Sequence, residues 1–321
     1  MNNVLKSIAK DPTLAYYYGQ KGLRSVPARK LLSAGVAGFV KARAATPPLP
    51  APGSVAHRMV QELDATGFAA MPEKQLDAAN LAQIRTQLEA YPLYDYYGTG
   101  KTYSLAQGIP ADVIKIRHES ADLFNCKPLM DLANDPDILA AVAARLGARP
   151  TIASAEAWWT FGEHNQNSSH AFDDIYHRDV DDLRFVKLFL YLTDTNLHSG
   201  AHRFVLGSHN DERFTRRGAI NDADVEGAYS PDKLLTVTGT AGTSFLEETW
   251  GIHRALLATQ GRRLIFSVLY ALAATVPFGP GKPVLPLPPG YDPYVNRRLP
   301  ADISTNVCHR NCRTNCHIKH F

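Results

Sequence analysis

Hydrophobic positions change their period near residue 148. Before that point they recur at helical spacing. Residues 55–64 (VAHRMVQELD) predict a helix ending at Thr66-Gly67, with GFAAMP following as a short strand. Residues 75–91 (QLDAANLAQIRTQLEAY) predict a second helix, stopped by Pro92, and residues 128–147 two helical pieces broken around Asp135-Pro136. Residues 93–125, rich in tyrosine and glycine, fit neither period. After Gly147 short β-rich runs take over: PTIASAEAWWTF, LRFVKLFLYLTD, HRFVLGS, KLLTVTG, GTSFLEET and RRLIFSVLYAL. Turn residues such as His198-Ser199-Gly200 and Gly239 to Gly242 separate them. A helical front and a β-rich back predict an α+β chain with a mainly β core, as a sandwich or barrel, and exclude alternating βαβ units. No internal repeat is present.

Ahead of this body, Ala28 to Ala45 predict a short helix with Arg29, Lys30, Lys41 and Arg43 near its ends. A helix packed on the body is the favoured reading and a surface-binding helix the other. TPPLPAPG at 46–53 reads as a linker. The expected organisation is a basic N-terminal segment with its linker over 1–54, one domain over 55–298, and a Cys/His-rich tail over 299–321.

Composition narrows the class only slightly. Of 321 residues, 45% are hydrophobic and 20% charged, as in ordinary globular proteins. Basic residues number 34 against 31 acidic, a net +3 that calls for neither nucleic acid nor an anionic membrane. The first twenty residues have no signal-peptide core and no apolar stretch is long enough to span a bilayer, so no integral membrane segment and a cytoplasmic location are expected. The four cysteines form no disulfide framework, since Cys308, Cys312 and Cys316 crowd into the last 14 residues. Their spacing matches no common zinc pattern, and a mobile tail is expected there.

The chemistry concentrates at Tyr176-His177-Arg178-Asp179. In an extended segment His177 and Asp179 point to one side. His253, in LEETWGIHRALL, supplies a second imidazole. Two histidines and a carboxylate on one face of a metal leave three positions open, as in non-heme Fe(II) oxygenases. Rival clusters exist at His209-Asn210-Asp211 and at His164, His170, Asp173 and Asp174. The His177 motif runs into the long strand LRFVKLFLYLTD, a rigid platform, whereas His209 follows a Gly-Ser turn and reads as structural. Arg262 and Arg263 lie 9 and 10 residues beyond His253, where a buried arginine can hold a carboxylate bidentately. Strand alternation predicts one inward and one outward. Lys187, mid-strand, should face solvent or meet a carboxylate. Asp181-Asp182 reads as a solvated turn, and Trp158 and Trp159 as core in preference to pocket.

The order of these motifs resembles the phytanoyl-CoA dioxygenase family: His177-x-Asp179, then Leu192-Thr193-Asp194, Ser199-Gly200 and Gly207-Ser208-His209, then His253 and Arg262. LANDPDILAAVAARLGARPTI also resembles the helix before that family's barrel, and the resemblance covers roughly residues 55–290. It implies a double-stranded β-helix (a cupin-like jelly roll) with flanking helices. His177, Asp179 and His253 would be Fe(II) ligands and Arg262 would bind the distal carboxylate of 2-oxoglutarate. The implied reaction uses O2 to hydroxylate an unactivated C–H of a small organic or acyl substrate, releasing succinate and CO2. Two departures stand out. Ala201-His202 follows Gly200 where Gly-Pro is common, and Arg254-Ala255 follows His253 in place of small polar residues. Asp179 argues against a halogenase, whose iron takes halide where the carboxylate is missing. A kinase reading of His177-Arg178-Asp179 fails because Arg184 stands where Asn is needed. The competing class is a non-catalytic or degenerate metal-binding barrel. Convergence of triad and arginine in one pocket separates the two. The substrate is not legible, and no basic cradle for coenzyme A is present.

Overall fold

The computed structural model describes residues 8–9, 13–71, 76–165, 174–216, 218–273 and 289–298. The Cys308/Cys312/Cys316 tail, and His170 and Asp173 of the rival cluster, lie outside the described residues.

Helices dominate the front half: α1 (Thr13–Gln20), α2 (Val26–Lys41), α3 (Val55–Thr66), α4 (Ala78–Glu89), α5 (Ser120–Phe124), α6 (Lys127–Ala133) and α7 (Pro136–Leu146). Their ends follow local chemistry. The side chain of Asp135 accepts the Asp137 and Ile138 amides at 2.9 and 3.0 Å, and Pro136 opens α7 where no donor is needed. This is the break expected at Asp135-Pro136. Gly67 closes α3 at φ +81°, a left-handed conformation that costs glycine little. It must also remain glycine, because a Cβ would lie 2.6 Å from His209 Nδ1.

The strands are β1 (Phe68–Ala70), β2 (Leu93–Asp95), β3 (Thr102–Tyr103), β4 (Lys115–Arg117), β5 (Thr151–Phe161), β6 (Phe185–Tyr191), β7 (His202–Val205), β8 (Leu234–Val237), β9 (Ser244–Glu247), β10 (His253–Ala255) and β11 (Arg262–Ala271). A short helix, α8 (Asp222–Ala228), lies between β7 and β8. The major sheet has the order β1-β9-β6-β11-β5-β4-β2-β3 and the minor sheet β10-β7-β8. A bridge from His177 to His253 extends the minor sheet by one strand position. From β5 onward the chain passes between sheets: β5 in the major, 176–177 in the minor, β6 in the major, β7 and β8 in the minor, β9 in the major, β10 in the minor and β11 in the major. That alternation is a jelly-roll, double-stranded β-helix core.

The two faces of the major sheet differ as strand alternation demands. Val186, Leu188, Leu190, Leu246, Leu264, Phe266 and Val268 face the helices and join the main apolar core. Phe189, Tyr191, Phe245 and Ile265 face inward and pack with Phe204 of β7. Trp159 belongs to the helix-side core, while Trp158 flanks the inner cluster, so the adjacent tryptophans divide between the two environments.

Two segments differ from the sequence reading. β10 falls in a stretch left between two strand candidates, because three residues are too few to show a period. The span 93–117 contributes β2, β3 and β4, which extend the major sheet beyond β5.

Candidate metal centre

His177 and His253 are directly opposite each other. The His177 amide donates to the His253 carbonyl at 3.0 Å, and the His253 amide donates to the His177 carbonyl at 3.1 Å. A pair bonded in both directions puts its side chains on the same face. Two residues on, the Asp179 amide donates to the Thr249 carbonyl at 2.9 Å. This pairing, and not β6, is the platform for the motif.

Ligand atoms of His177, Asp179 and His253 all lie within 4.8 Å of one another. His177 Nε2 is 3.8 Å from Asp179 Oδ1, and His253 Nε2 is 3.5 Å from Asp179 Oδ2. Each ring is fixed from behind. Nδ1 of His177 lies 2.7 Å from the Ile175 carbonyl and Nδ1 of His253 lies 3.0 Å from the Gly251 carbonyl. A carbonyl only accepts, so each Nδ1 carries a proton and Nε2 is the ring nitrogen left on the Asp179 side. Both histidines are buried and Asp179 is half-buried. The donor set and tautomers fit a divalent metal with open positions.

Charge at the site is paired. Lys187 Nζ lies 2.7 Å from Asp179 Oδ2 and 3.0 Å from Asp181 Oδ2, so this inward-facing lysine meets carboxylates. Burial opposes ionisation of Asp179, but Lys187, His253 and His177 hold its carboxyl well below the usual range. Burial likewise opposes the Lys187 charge, and Asp179, Asp181 and Glu156 overcome it and raise its pKa. Glu156, on the inner face of β5, has its carboxyl pushed up by burial, yet it keeps solvent-accessible surface. Beside His253, the ring of His202 stacks at 5.6 Å and its Nε2 lies 2.7 Å from Oε2 of the fully buried Glu247.

The two arginines that open β11 lie on opposite faces. Arg262 is 58% exposed and pairs with Glu163 at 3.0 Å. Its neighbour Arg263 is 1% exposed and opposes Thr160 on the inner face. There it donates to the Gly200 carbonyl and lies 3.4 Å from Thr160 Oγ1. The expected alternation is present, with Arg263 inward and Arg262 outward. Arg263 shares its face with Ile265 and Ser267, while Arg262 shares the helix-side face of Leu264 and Phe266.

Asp182 is not in a solvated turn. It is buried, and its carboxylate accepts Tyr16 Oη at 2.5 Å, the Leu183 amide at 2.7 Å and the Ala273 amide at 2.9 Å. The N-terminal segment thus reaches the loop that follows Asp179. Gln20 donates to the Val180 carbonyl at 2.7 Å. Arg29 donates to the Asp182 carbonyl, and its guanidinium lies 3.8 Å over the Trp250 ring.

Arg178, inside the His177-Asp179 motif, has a role that its local sequence does not show. Its guanidinium donates to the carbonyls of Phe214, Ser208, Trp250, Asp211 and Arg213, tying the loop before His253 to the loop after β7. Burial lowers its pKa to about 10, which leaves it charged at neutral pH. An arginine between His177 and Asp179 was the available signal. His209 is buried against Gly67, as a structural residue would be. Of the rival cluster, His164 bonds the Val113 carbonyl at 2.9 Å and Asp174 pairs with buried Lys115 at 3.1 Å.

No family model matches the chain, and no curated protein matches it. Solved structures do match. EctD from S. alaskensis, with bound Fe, is 15% identical, with 78% of this chain and 87% of that one covered and a TM-score of 0.50. The likeness is one of fold. The epimerase SnoN, in complex with Fe3+, alpha ketoglutarate and nogalamycin RO, is 18% identical over 76% of this chain and 94% of that one, at a TM-score of 0.47. HygX from Streptomyces hygroscopicus, with nickel, 2-oxoglutarate and hygromycin B bound, is 19% identical over 66% and 86%, at 0.45. Among the described residues no helix is long and apolar enough to cross a membrane.

Proposed function

We propose that this protein is an Fe(II)- and 2-oxoglutarate-dependent oxygenase that hydroxylates a small-molecule substrate. The observation that carries the reading is the convergence of His177, Asp179 and His253 at the minor-sheet bridge, with both Nε2 atoms aimed at Asp179. The fold is one that holds Fe in EctD. The order of motifs keeps the resemblance to the phytanoyl-CoA dioxygenase family within the proposal.

Ferrous ion bound there, with 2-oxoglutarate and O2, supplies oxidation of an unactivated C–H, with succinate and CO2 released. The protein's residues orient and enclose. The Ile175 and Gly251 carbonyls fix the two imidazoles. Asp179 contributes the anionic ligand. Lys187 spreads compensating charge over Asp179 and Asp181, so the interior does not hold unpaired carboxylates. Arg263, on the inner face, takes the anchoring role first expected of Arg262 and presents a planar fork to the far carboxylate of the cosubstrate. Phe189, Phe204 and Phe245 line the space between the sheets and exclude water.

Equilibrium metal binding tests the reading. One divalent ion should bind per chain, and His253→Ala should abolish tight binding without unfolding the protein. Equal metal affinity in wild type and variant would sink the assignment.

A further inference from the structure

The N-terminal helix α2 is apolar on two opposite faces, and the described residues cover only one. Val26, Ser33, Ala37 and Val40, with Arg29, face the body. The other face carries Leu31, Ala34, Gly35, Gly38, Phe39 and Ala42, all exposed. Leu31 is 74%, Leu32 51% and Phe39 58% exposed, and Leu49, just beyond the helix, is 81% exposed. A helix apolar all round belongs in a core or against a second apolar medium. A cluster of large exposed side chains of this kind marks a contact surface.

Charge identifies the medium. Exposed Lys30 and Lys41 flank the stripe on one side and exposed Arg43 on the other, with the Arg43 guanidinium 3.4 Å over the Phe39 ring. From residue 12 to residue 61 the chain has seven Lys and Arg and no Asp or Glu. The near-neutral total charge conceals this local excess. A second copy of the chain would oppose Lys30, Lys41 and Arg43 with the same cations and bring no acid from this segment. The last 23 residues do not complement it either, with Arg310, Arg313 and Lys319 against Asp302.

We infer that the outer face of α2 docks the protein on an anionic lipid surface. The helix lies in the interfacial plane, Leu31, Leu32 and Phe39 enter the acyl boundary, and Lys30, Lys41 and Arg43 meet headgroup phosphates. This inference is independent of the metal chemistry. It also requires no spanning segment.

Sedimentation with vesicles of phosphatidylcholine, alone or mixed equally with phosphatidylserine, tests it using the full chain. Binding to the mixed vesicles is expected, falling steeply with added salt. The variant Leu31→Ser/Phe39→Ser should lose at least about tenfold in partitioning. Lys30→Glu/Lys41→Glu should lose more than about tenfold on mixed vesicles, at about fivefold per basic side chain. Because these side chains are exposed, both variants should keep the wild-type thermal midpoint, which shows that they fold. Failure of wild type to bind mixed vesicles at low salt overturns the inference. A wild-type dimer that Phe39→Ser converts to monomer, without vesicle binding, overturns it in favour of a second copy.

Discussion

His177 and His253 are hydrogen-bonded to each other through both backbones, amide to carbonyl, at 3.0 and 3.1 Å. The two imidazoles of the proposed metal centre are therefore held in register by the sheet itself. Their ring centroids lie 4.3 Å apart, and Asp179 reaches them from two residues further along the chain. A change that shifts one strand of this bridge displaces half of the site.

Gly251 is the most direct such lever. Its carbonyl bonds His253 Nδ1, and a Cβ added to it would overlap the Phe204 ring. Gly251→Ala should weaken metal binding by about 10- to 100-fold, the cost of disturbing a ligand's outer hydrogen bond. Isothermal titration of the metal-free protein measures it, and unchanged affinity would count against the bridge as the orienting element.

Arg263 and Arg262 should separate cleanly. Arg263→Leu removes the buried inward guanidinium and should weaken 2-oxoglutarate binding by about 2–5 kcal/mol, leaving metal affinity nearly intact. Arg262→Ala removes an exposed pair with Glu163 and should change both by less than about 1 kcal/mol. Cosubstrate binding to the metal-loaded variants reads the difference. The reverse ranking would return the anchoring role to Arg262.

Arg178→Ala removes the guanidinium donor from five carbonyls, of which that of Ser208 keeps the Asp211 amide. A stability loss above about 3 kcal/mol is expected in urea unfolding, and Arg178→Lys should recover only part of it because an ammonium lacks the planar fork. Full recovery with lysine would show that charge alone matters there.

Acid should weaken the fold through two buried histidines. Burial lowers His118 to about 4, and neither of its ring nitrogens has a hydrogen-bond partner. Burial lowers His209 to about 4 as well. Both pKa values lie below the unfolded value of about 6.5, so between these limits the unfolded chain binds more protons. Their contribution is complete above pH 6.5 and is lost as pH falls toward 4, on the order of 2–3 kcal/mol for each histidine. His118→Phe should flatten the slope of unfolding free energy between pH 7 and 5. An unchanged slope would contradict the assignment.

The legible parts of the sequence were those with long periods or fixed chemistry. β5, β6 and β11 are long enough to show themselves, and Asp135-Pro136 marks a helix start whatever its surroundings. The convergence of His177, Asp179 and His253 was legible because a His-x-Asp pair and a distant histidine lay between recognisable strands. What was hidden depends on partners far along the chain. Asp182 reads as solvated beside Asp181 until Tyr16, 166 positions earlier, supplies a donor. Which of Arg262 and Arg263 faces inward needed the register of β11 against β5, which no local pattern encodes. β10, three residues long, exists because its neighbours pair with it.

The central claim is that His177, Asp179 and His253 hold iron with open positions for 2-oxoglutarate. The most direct measurement is an anaerobic titration of Fe(II)-loaded protein with 2-oxoglutarate, followed by visible absorption. A metal-to-ligand charge-transfer band should appear for the wild type and be absent for His177→Ala. A folded, iron-loaded wild-type protein that gives no band and binds no 2-oxoglutarate would contradict the account and leave a metal-binding barrel without this chemistry.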